Sequence, residues 1–280
     1  MDHVITLDGS SRVAIDSVET VVAARLDERA DAAALGERQA TLRELQELMF
    51  ASEANGVLVI LQGMDAAGKD VTIQNVFATA TAEAIRVEHL SSTTEEEEAH
   101  DFLWRAHGVC PARGEMVIFD RSYYEQVINP MVHDDAPGEM IDERFEDIVA
   151  FERILRRGGT IVVKVLLHVG EEEQERRLLE REASEESAWK ISGRDWIGRS
   201  KWPGYMAAFE RVVNATSTPE SPWHVVPADD QAFHNLAVAE ILIAALEPYR
   251  ESWIAERRAV GERKRKEAQE AREQLDADGS

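Results

Sequence analysis

Two glycines, Gly63 and Gly68, stand five residues apart in this chain, and Lys69 follows directly. This is the G-x-x-x-x-G-K spacing of a P-loop, in which backbone N–H groups and a helix N-terminus surround a phosphate, while the lysine reaches towards the outer phosphates. Asp70 stands where the motif usually has a Ser or Thr whose hydroxyl holds Mg²⁺. The spacing predicts a phosphate site. The alternative is a tight turn that contains glycine and lysine by chance.

A second pair of charged residues, Asp120 and Arg121, ends an apolar run that begins at Met116. An acid at the carboxyl end of a strand in a parallel sheet lies beside the P-loop, where it can hold Mg²⁺ directly or through water. An apolar strand that ends in Asp is common by itself, but it becomes specific when a P-loop precedes it. We therefore predict a Walker B acid at Asp120, with Arg121 at the same edge to meet a phosphate.

The elements that must position these residues are strands alternating with helices. Five apolar or β-branched runs predict strands, at residues 57–61, 84–88, 116–120, 160–168 and 223–229. Apolar residues at helical spacing predict two helices across 17–53 with a break at Gly36, and further helices at about 91–108, 138–157, 203–216 and 233–246. This alternation predicts an α/β fold, a doubly wound parallel sheet flanked by helices.

The stretch 171–205 differs from the rest because it is rich in tryptophan and basic residues and has few apolar residues at core spacing. Arg177 and Arg181 lie four residues apart within it and share one helix face. A solvated face of ion pairs is the alternative interpretation. We predict a mobile helical lid over the phosphate mouth, within a core at 55–247 that contains the P-loop. An N-terminal helical extension (1–54) precedes this core, and a charged C-terminal helix or tail (248–280) follows it.

The composition limits the partners. A formal charge of -23 argues against a surface that attracts nucleic acid everywhere, although a polyanion can bind where cations are concentrated in one groove. The basic run 263–266 is surrounded by acids, which favours a solvated helix. Apolar runs fall short of the ~20 residues of a membrane span, the first residues lack a signal-peptide layout, and Cys110 is the only cysteine. We expect a cytoplasmic protein without nucleic-acid or membrane partners, intrachain disulfides or cysteine metal clusters.

The chain resembles the polyphosphate kinase 2 family of the P-loop kinase superfamily, and within it the class III branch, which phosphorylates nucleoside mono- and diphosphates. The stretches that carry the resemblance span roughly residues 40–247. They are 61–70, 101–105, 111–115, 119–122, Glu173–Gln174 with Arg177 and Arg181, Trp189–Lys190, and Ala228–Asp229. Asp70 after the lysine is normal in this family, and Asp65 within the loop is the more telling residue.

The resemblance implies transfer of a terminal phosphoryl group from polyphosphate to AMP or ADP, or to GMP or GDP, with Mg²⁺ or a substituting Mn²⁺. It implies catalytic roles for Asp65, Lys69, Asp120 and Arg121, with Asp65 and Asp120 holding the metal or orienting the acceptor phosphate. The residues implied to bind phosphate or polyphosphate are Gly63, Ala66, Ala67, Gly68, Asp70, Arg177, Arg181, Lys190 and Arg199. Those implied to face the nucleotide are Arg105, Tyr124 and Glu125. A homodimer or homotetramer is also implied.

The lid departs from the family pattern in two places. Ser184-Glu185 and Ser187 replace an Asp-Pro and a further lysine, and Trp202-Pro203-Gly204-Tyr205 replaces Trp-Asp-Asp-Tyr. A lid with one cation fewer should hold a polyanion less tightly. Two alternatives to the polyphosphate kinase therefore stay open: a P-loop kinase that uses ATP on a small acceptor such as a nucleoside monophosphate, and a phosphate-binding relative with little or no turnover.

Overall fold

A six-stranded sheet forms the centre of the computed structural model, which describes residues 3–22, 28–90 and 94–278. The strand order is β1-β6-β5-β2-β4-β3, and every neighbouring pair is parallel except β1 with β6. The strands are β1 (Ile5–Leu7), β2 (Gly56–Gly63), β3 (Ile85–Glu88), β4 (Met116–Asp120), β5 (Thr160–His168) and β6 (Trp223–Pro227). The predicted α/β class with a mainly parallel sheet is confirmed.

Strand β2 lies in the middle of the sheet, between β4 and β5. All five residues from Val57 to Leu61 are fully buried, as expected for a strand that is covered by helices on both faces. The register pairs Leu61 with Asp120 and Gly63 with Leu167. The carboxyl ends of three central strands therefore meet at one edge, where the P-loop begins.

Helices surround this sheet. They are α1 (Glu28–Ser52), α2 (Lys69–Val76), α3 (Glu95–Glu98), α4 (Trp104–Val109), α5 (Glu125–His133), α6 (Gly138–Arg157), α7 (Glu171–Ala183), α8 (Gly193–Ser200), α9 (Trp202–Thr216), α10 (Gln231–Leu246) and α11 (Arg250–Asp278). Helix α1 packs on α10 and α11. Within the described ranges, none of these helices combines the length and the apolar character needed to cross a bilayer.

The prediction of two helices separated at Gly36 is wrong, because α1 runs through that position without a break. A glycine inside a helix costs only about 1 kcal/mol relative to alanine, and the packing of α1 on α10 offsets this cost. Residues 17–22 are not helical apart from the end of a 3₁₀ turn at Ile15–Ser17. Residues 23–27, including Leu26 of the predicted first helix, lie outside the described ranges.

The single helix predicted at 91–108 is also wrong, because two short helices, α3 and α4, replace it. The Asp101 side chain accepts a hydrogen bond from the Leu103 N–H at 3.0 Å, which competes with a helical partner for that donor. Thr94 and Glu97 form a reciprocal capping box at the start of α3, so the predicted capping hydroxyl is present at Thr94. Residues 91–93 of the predicted helix start lie outside the described ranges.

Candidate active site

The P-loop connects β2 to α2 through a backbone that only certain residues can follow. Gly63 and Gly68 have φ angles of +149° and +108°, in the region that favours glycine, and Ala66 has a φ of +62°. A Cβ on Gly68 would lie 2.9 Å from the His234 ring, and one on Gly63 would lie 2.6 Å from the Leu167 carbonyl oxygen. Both predicted glycines are therefore required by backbone conformation and by close packing.

Lys69 begins α2 and is buried beneath the loop. Its ammonium donates hydrogen bonds to the carbonyl oxygens of Gly63 at 2.9 Å and Met64 at 3.0 Å, which leaves one of three donors for a ligand. Burial and the charge of Arg121 lower the pKa of Lys69, while Asp120 and Asp65 act in the opposite direction. The lysine is thus a cation with few water neighbours, held at the mouth of the loop.

Asp65 and Arg121 come together although 56 positions separate them in sequence. Nη2 of Arg121 donates to Oδ1 of Asp65, and Nη1 lies 3.8 Å from Oε2 of Glu125. Arg121 has a φ of +63°, and its own N–H donates to the Leu61 carbonyl, so the backbone turns sharply after β4. Burial opposes the charge, but the carboxylates of Glu125, Asp65 and Asp120 outweigh it and raise the pKa of Arg121.

Asp120 ends β4 and is 6% exposed. Its Oδ2 lies 3.1 Å from Nδ1 of His89, while Oδ1 has no hydrogen-bond partner among the described residues. Burial raises the pKa of Asp120, Lys69 lowers it, and the neighbouring carboxylate of Asp70 raises it again. A buried carboxylate oxygen without a donor, close to a second carboxylate, is a suitable ligand for a hard divalent cation.

The protein supplies few oxygen ligands beyond these two acids. Among the described residues, no group of three or more Asp, Glu, His or Cys is arranged to hold a metal ion. Mg²⁺ commonly keeps several waters and takes its remaining ligands from one or two carboxylates and a substrate phosphate. The arrangement at Asp120 fits that pattern, whereas Asp65 is paired with Arg121 instead of standing free for a metal.

Glu125, at the start of α5, is brought to the same mouth. Its carboxylate accepts hydrogen bonds from the side-chain amides of Gln62 at 3.0 Å and Asn129 at 3.1 Å. The phenol of Tyr205 lies close by: burial and the negative charges of Glu125 and Asp65 raise the pKa of Tyr205. These contacts hold Glu125 in place beside Arg121.

The predicted lid lies directly against the P-loop. The Gln174 amide of α7 donates to the Asp65 carbonyl oxygen at 3.1 Å, and a Cβ on Gly198 of α8 would lie 3.7 Å from Oδ2 of Asp65. Arg199 donates to the Glu171 carbonyl, to Gln174 and to Glu175, so it joins α8 to α7. Its predicted contact with polyphosphate competes with these bonds. The mobility of the lid stays a prediction.

Two cavities open beside the P-loop. One, of about 620 Å³, has Gly68, Arg177, Arg181, Asp229 and His234 in its wall. The other, of about 540 Å³, is lined by Asp70, Asp120, Lys190, Trp189, His89 and again Arg181. Nζ of Lys190 lies 3.7 Å from Oδ2 of Asp70 and 5.4 Å from the centroid of the Trp189 ring. Of the predicted lid cations, Arg181 and Lys190 therefore face open space next to Asp120.

Tyr124 is the predicted nucleotide-binding residue that the structure does not bring to the site. Its side chain is fully buried, and its hydroxyl donates to Oε1 of Glu152 at 2.7 Å and lies 3.1 Å from the Thr216 hydroxyl. Tyr123 donates to the same Glu152 oxygen at 2.9 Å. Because both rings point into the core, they anchor the segment that joins Arg121 to Glu125. Contact of Tyr124 with a nucleotide stays a prediction, and in this structure its side chain lies in the core.

Arg105 on α4 lies 3.2 Å from Oε1 of Glu97, and its side chain is 11% exposed. Its contact with a nucleotide stays a prediction. Three residues that the sequence analysis did not assign also belong to the site: His89, Tyr205 and His234. His89 follows β3 directly and so stands at the same sheet edge as Asp120, a signal that was present in the sequence. Tyr205 and His234 come from helices whose approach to the P-loop leaves no trace in local sequence.

Comparison with known proteins agrees with this geometry. The sequence model of the family described as Polyphosphate kinase 2 (PPK2) matches residues 25–252. An AMP/ADP-polyphosphate phosphotransferase of Meiothermus ruber is 41% identical over 206 residues, which are 74% of this chain and 77% of that protein. An ADP-polyphosphate phosphotransferase of Rhodopseudomonas palustris is 36% identical over 246 residues, 84% of each chain.

Solved structures give the same answer. The crystal structure of Polyphosphate Kinase 2 from Arthrobacter aurescens TC1 superposes with a TM-score of 0.82 at 35% identity and covers 87% of this chain and 88% of that one. A polyphosphate kinase 2 structure from Pseudomonas aeruginosa superposes with a TM-score of 0.79 at 29% identity and covers 87% of this chain and 53% of that one. The chain belongs to the polyphosphate kinase 2 family.

Proposed function

We propose that this protein transfers the terminal phosphoryl group of inorganic polyphosphate to a nucleoside mono- or diphosphate. The observation that carries the proposal is the meeting of Asp65, Lys69, Asp120 and Arg121 where β2 and β4 end. The relatives are named as polyphosphate phosphotransferases of AMP, ADP or NDP. An ATP-dependent kinase of a small acceptor is not favoured by these names, and the complete set of charged groups argues against a relative without turnover.

Phosphoryl transfer needs little covalent chemistry from the protein, because positioning and charge neutralisation carry most of the rate. Lys69 and the P-loop amides are proposed to hold the transferring phosphoryl group. The lysine is already fixed by two carbonyl oxygens, so it loses little freedom when a phosphate oxygen takes its third N–H. Its burial strengthens the attraction, since few waters compete for the charge.

Enzymes of this family are phosphotransferases that need a divalent metal, and we propose Mg²⁺, with Mn²⁺ as a substitute. Asp120, and Asp70 beside it, are the residues that would hold the ion, because Oδ1 of Asp120 is buried without a partner. When bound, the ion neutralises charge that develops on the phosphate oxygens. His89 keeps Oδ2 of Asp120 occupied and so orients the carboxylate.

Arg121 is proposed to bind the acceptor phosphate. Asp65 and Glu125 hold its guanidinium from two sides, and the remaining N–H groups are available to phosphate oxygens. A guanidinium fixed in this way presents its donors in a planar fork that suits a phosphate. Asp65 would then orient the acceptor mainly through Arg121.

The donor is proposed to lie along Arg181 and Lys190. Both cations line the cavity that contains Asp120, and the guanidinium of Arg181 makes no hydrogen bond or ion pair within the described part of the chain. The larger cavity suits a polyanion less, because the acids in its wall outnumber the arginines. The acids are Asp31, Glu173, Glu180, Asp229 and Asp230, and the arginines are Arg176, Arg177 and Arg181. A cytoplasmic location and a homodimer or homotetramer stay part of the proposal, as do AMP, ADP, GMP and GDP as acceptors.

The test is a panel of donors and acceptors. Purified protein would be incubated with Mg²⁺, with AMP, ADP, GMP or GDP, and with either polyphosphate or ATP, and the nucleotide products would be separated and counted. We expect products with polyphosphate as donor. Products formed with ATP but not with polyphosphate as donor would support the ATP-dependent kinase. Binding of polyphosphate without any product would support the relative without turnover.

A further inference from the structure

We propose that Arg177 is a positioning residue that fixes the shape of the P-loop, and that it does not contact the donor. The effect of Arg177 on catalysis rests on the proposed function, whereas its structural role follows from contacts within the protein. Helical spacing places Arg177 and Arg181 on one face of a helix, and the family resemblance implies that both bind polyphosphate. The structure gives the two arginines different surroundings.

Every donor of the Arg177 guanidinium has an acceptor in the protein. Nε donates to Oε1 of Glu173 at 2.6 Å. Nη1 donates to the carbonyl oxygens of Ala66 at 3.1 Å and Ala67 at 3.2 Å, and Nη2 donates to those of Ala228 at 2.7 Å and Asp229 at 2.8 Å. A guanidinium has five N–H donors, and all five are used. A phosphate could bind Arg177 only by displacing these acceptors.

The acceptors on one side belong to the apex of the P-loop. In a planar trans peptide the C=O and the following N–H point in opposite directions. A carbonyl of Ala67 that faces Arg177 therefore turns the Gly68 N–H away from Arg177. The Ala67 N–H is used within the loop, where it donates to the Met64 carbonyl at 3.1 Å. Arg177 thus holds the loop carbonyls on the outside and leaves the Gly68 amide for a phosphate.

The acceptors on the other side are fixed independently. They belong to the turn after β6, where the Asp229 carboxylate accepts the Gly170 N–H and the Thr20 hydroxyl, both at 2.7 Å. Arg177 therefore ties the P-loop to a rigid turn and to α7 at once. Ala66 sits at a φ of +62°, a conformation that costs a non-glycine residue free energy and persists only where the surroundings hold it. The fork of Arg177 is that support.

The experiment compares Arg177→Lys with Arg181→Lys, which is four residues away on the same helix. Lysine keeps the charge but cannot supply five donors in a plane. For Arg177→Lys we expect kcat to fall at least about tenfold, since small displacements of a catalytic group are costly, with the polyphosphate KM changed less than twofold. For Arg181→Lys we expect the larger change in the polyphosphate KM. Amide hydrogen exchange at residues 66–69 should become faster in Arg177→Lys only.

A donor contact predicts the opposite pattern. Near-normal kcat and unchanged exchange in Arg177→Lys, with a raised and salt-dependent polyphosphate KM in Arg177→Gln, would overturn the inference. Hydrogen exchange needs no turnover, so it tests the role of Arg177 even if the wild-type protein fails to use polyphosphate. In that case the proposed function would fail alone. If Arg177→Lys does not fold, Arg177→Gln takes its place in both measurements. Glutamine is shorter than arginine and supplies two N–H donors.

Discussion

The Lys164 ammonium lies 2.8 Å from Oε2 of Glu152, and neither side chain is more than 3% exposed. Lys164 also donates to the Thr216 carbonyl at 2.8 Å, and Ser221 donates to Glu152 at 3.2 Å. The Glu152 carboxylate of this buried ion pair also accepts hydrogen bonds from the hydroxyls of Tyr123 and Tyr124, which follow Arg121 closely in the chain. A charged pair in the core therefore supports the turn that presents the arginine at the surface of the site.

Removing one member of this pair leaves the other charge buried and unpaired. We expect Lys164→Met to lower the free energy of unfolding by about 3–5 kcal/mol, measured by urea denaturation. Adding Glu152→Gln should recover part of the loss, because neither charge then remains. Tyr123→Phe is the control with an intact pair, and it should cost about 1 kcal/mol. A loss in Lys164→Met no larger than that of the control would argue against the pair.

Asp120→Asn separates the role of the acid in turnover from its role in folding. Burial and Asp70 already disfavour the charged form of Asp120, so the neutral amide should leave the free energy of unfolding equal or slightly higher at pH 8. We expect kcat to fall by about two orders of magnitude or more. Mg²⁺ should raise the melting temperature of the wild type and not that of the variant. Near-normal turnover would refute the metal role.

Gly68→Ala tests the backbone of the loop. A side chain at a φ of +108° costs about 1–2 kcal/mol, and the added Cβ would also press on His234. We expect lower stability and loss of most activity. Gly36→Ala is the matched control, because a Cβ there meets nothing within 4 Å and alanine favours the helix by about 0.5–1 kcal/mol. Equal effects of the two substitutions on activity would contradict the close packing at Gly68.

His234 makes stability depend on pH. Burial, and then the charge of Arg177, lower the pKa of His234 to about 4. The unfolded chain, with a pKa near 6.5, binds more protons between pH 4 and 6.5, so stability is complete above this window and falls as the pH drops through it. We expect His234 to account for up to about 3 kcal/mol of that loss. Urea denaturation at several pH values from 4 to 7 should show a free energy of unfolding that changes less steeply with pH in His234→Gln than in the wild type. The same dependence on pH in both proteins would exclude a buried neutral histidine.

Much of the site was predictable because strand ends carry their own signal. Asp120 and Arg121 directly follow the apolar run of β4, and Lys69 ends the glycine-spaced loop that follows the apolar run of β2. Parallel strands bring such positions to one edge. The fold class followed from the same alternation. The edge strand β1 was missed because three residues are too few to show a period, and its antiparallel pairing depends on β6, which lies more than 200 positions away.

The sequence predicted which helix or strand carries a site residue much better than it predicted which atoms its side chain contacts. Helical spacing correctly put Arg177 on α7, but the carbonyl oxygens that occupy it come from two distant loops. Tyr124 directly precedes Glu125, yet one side chain enters the core and the other faces the site. Lys164 stands alone in the apolar run of β5, and a buried lysine implies an acidic partner. Residue spacing could not show that this partner is Glu152.

The central claim is that Lys69, at the mouth of the P-loop, holds the phosphoryl group that moves from polyphosphate to the nucleotide. The most direct measurement is the initial rate of ATP formation from ADP, Mg²⁺ and polyphosphate by the wild type and by Lys69→Met, with folding checked by thermal unfolding. We predict polyphosphate-dependent ATP formation that Lys69→Met abolishes while the fold persists. Equal rates in the two folded proteins would contradict the account.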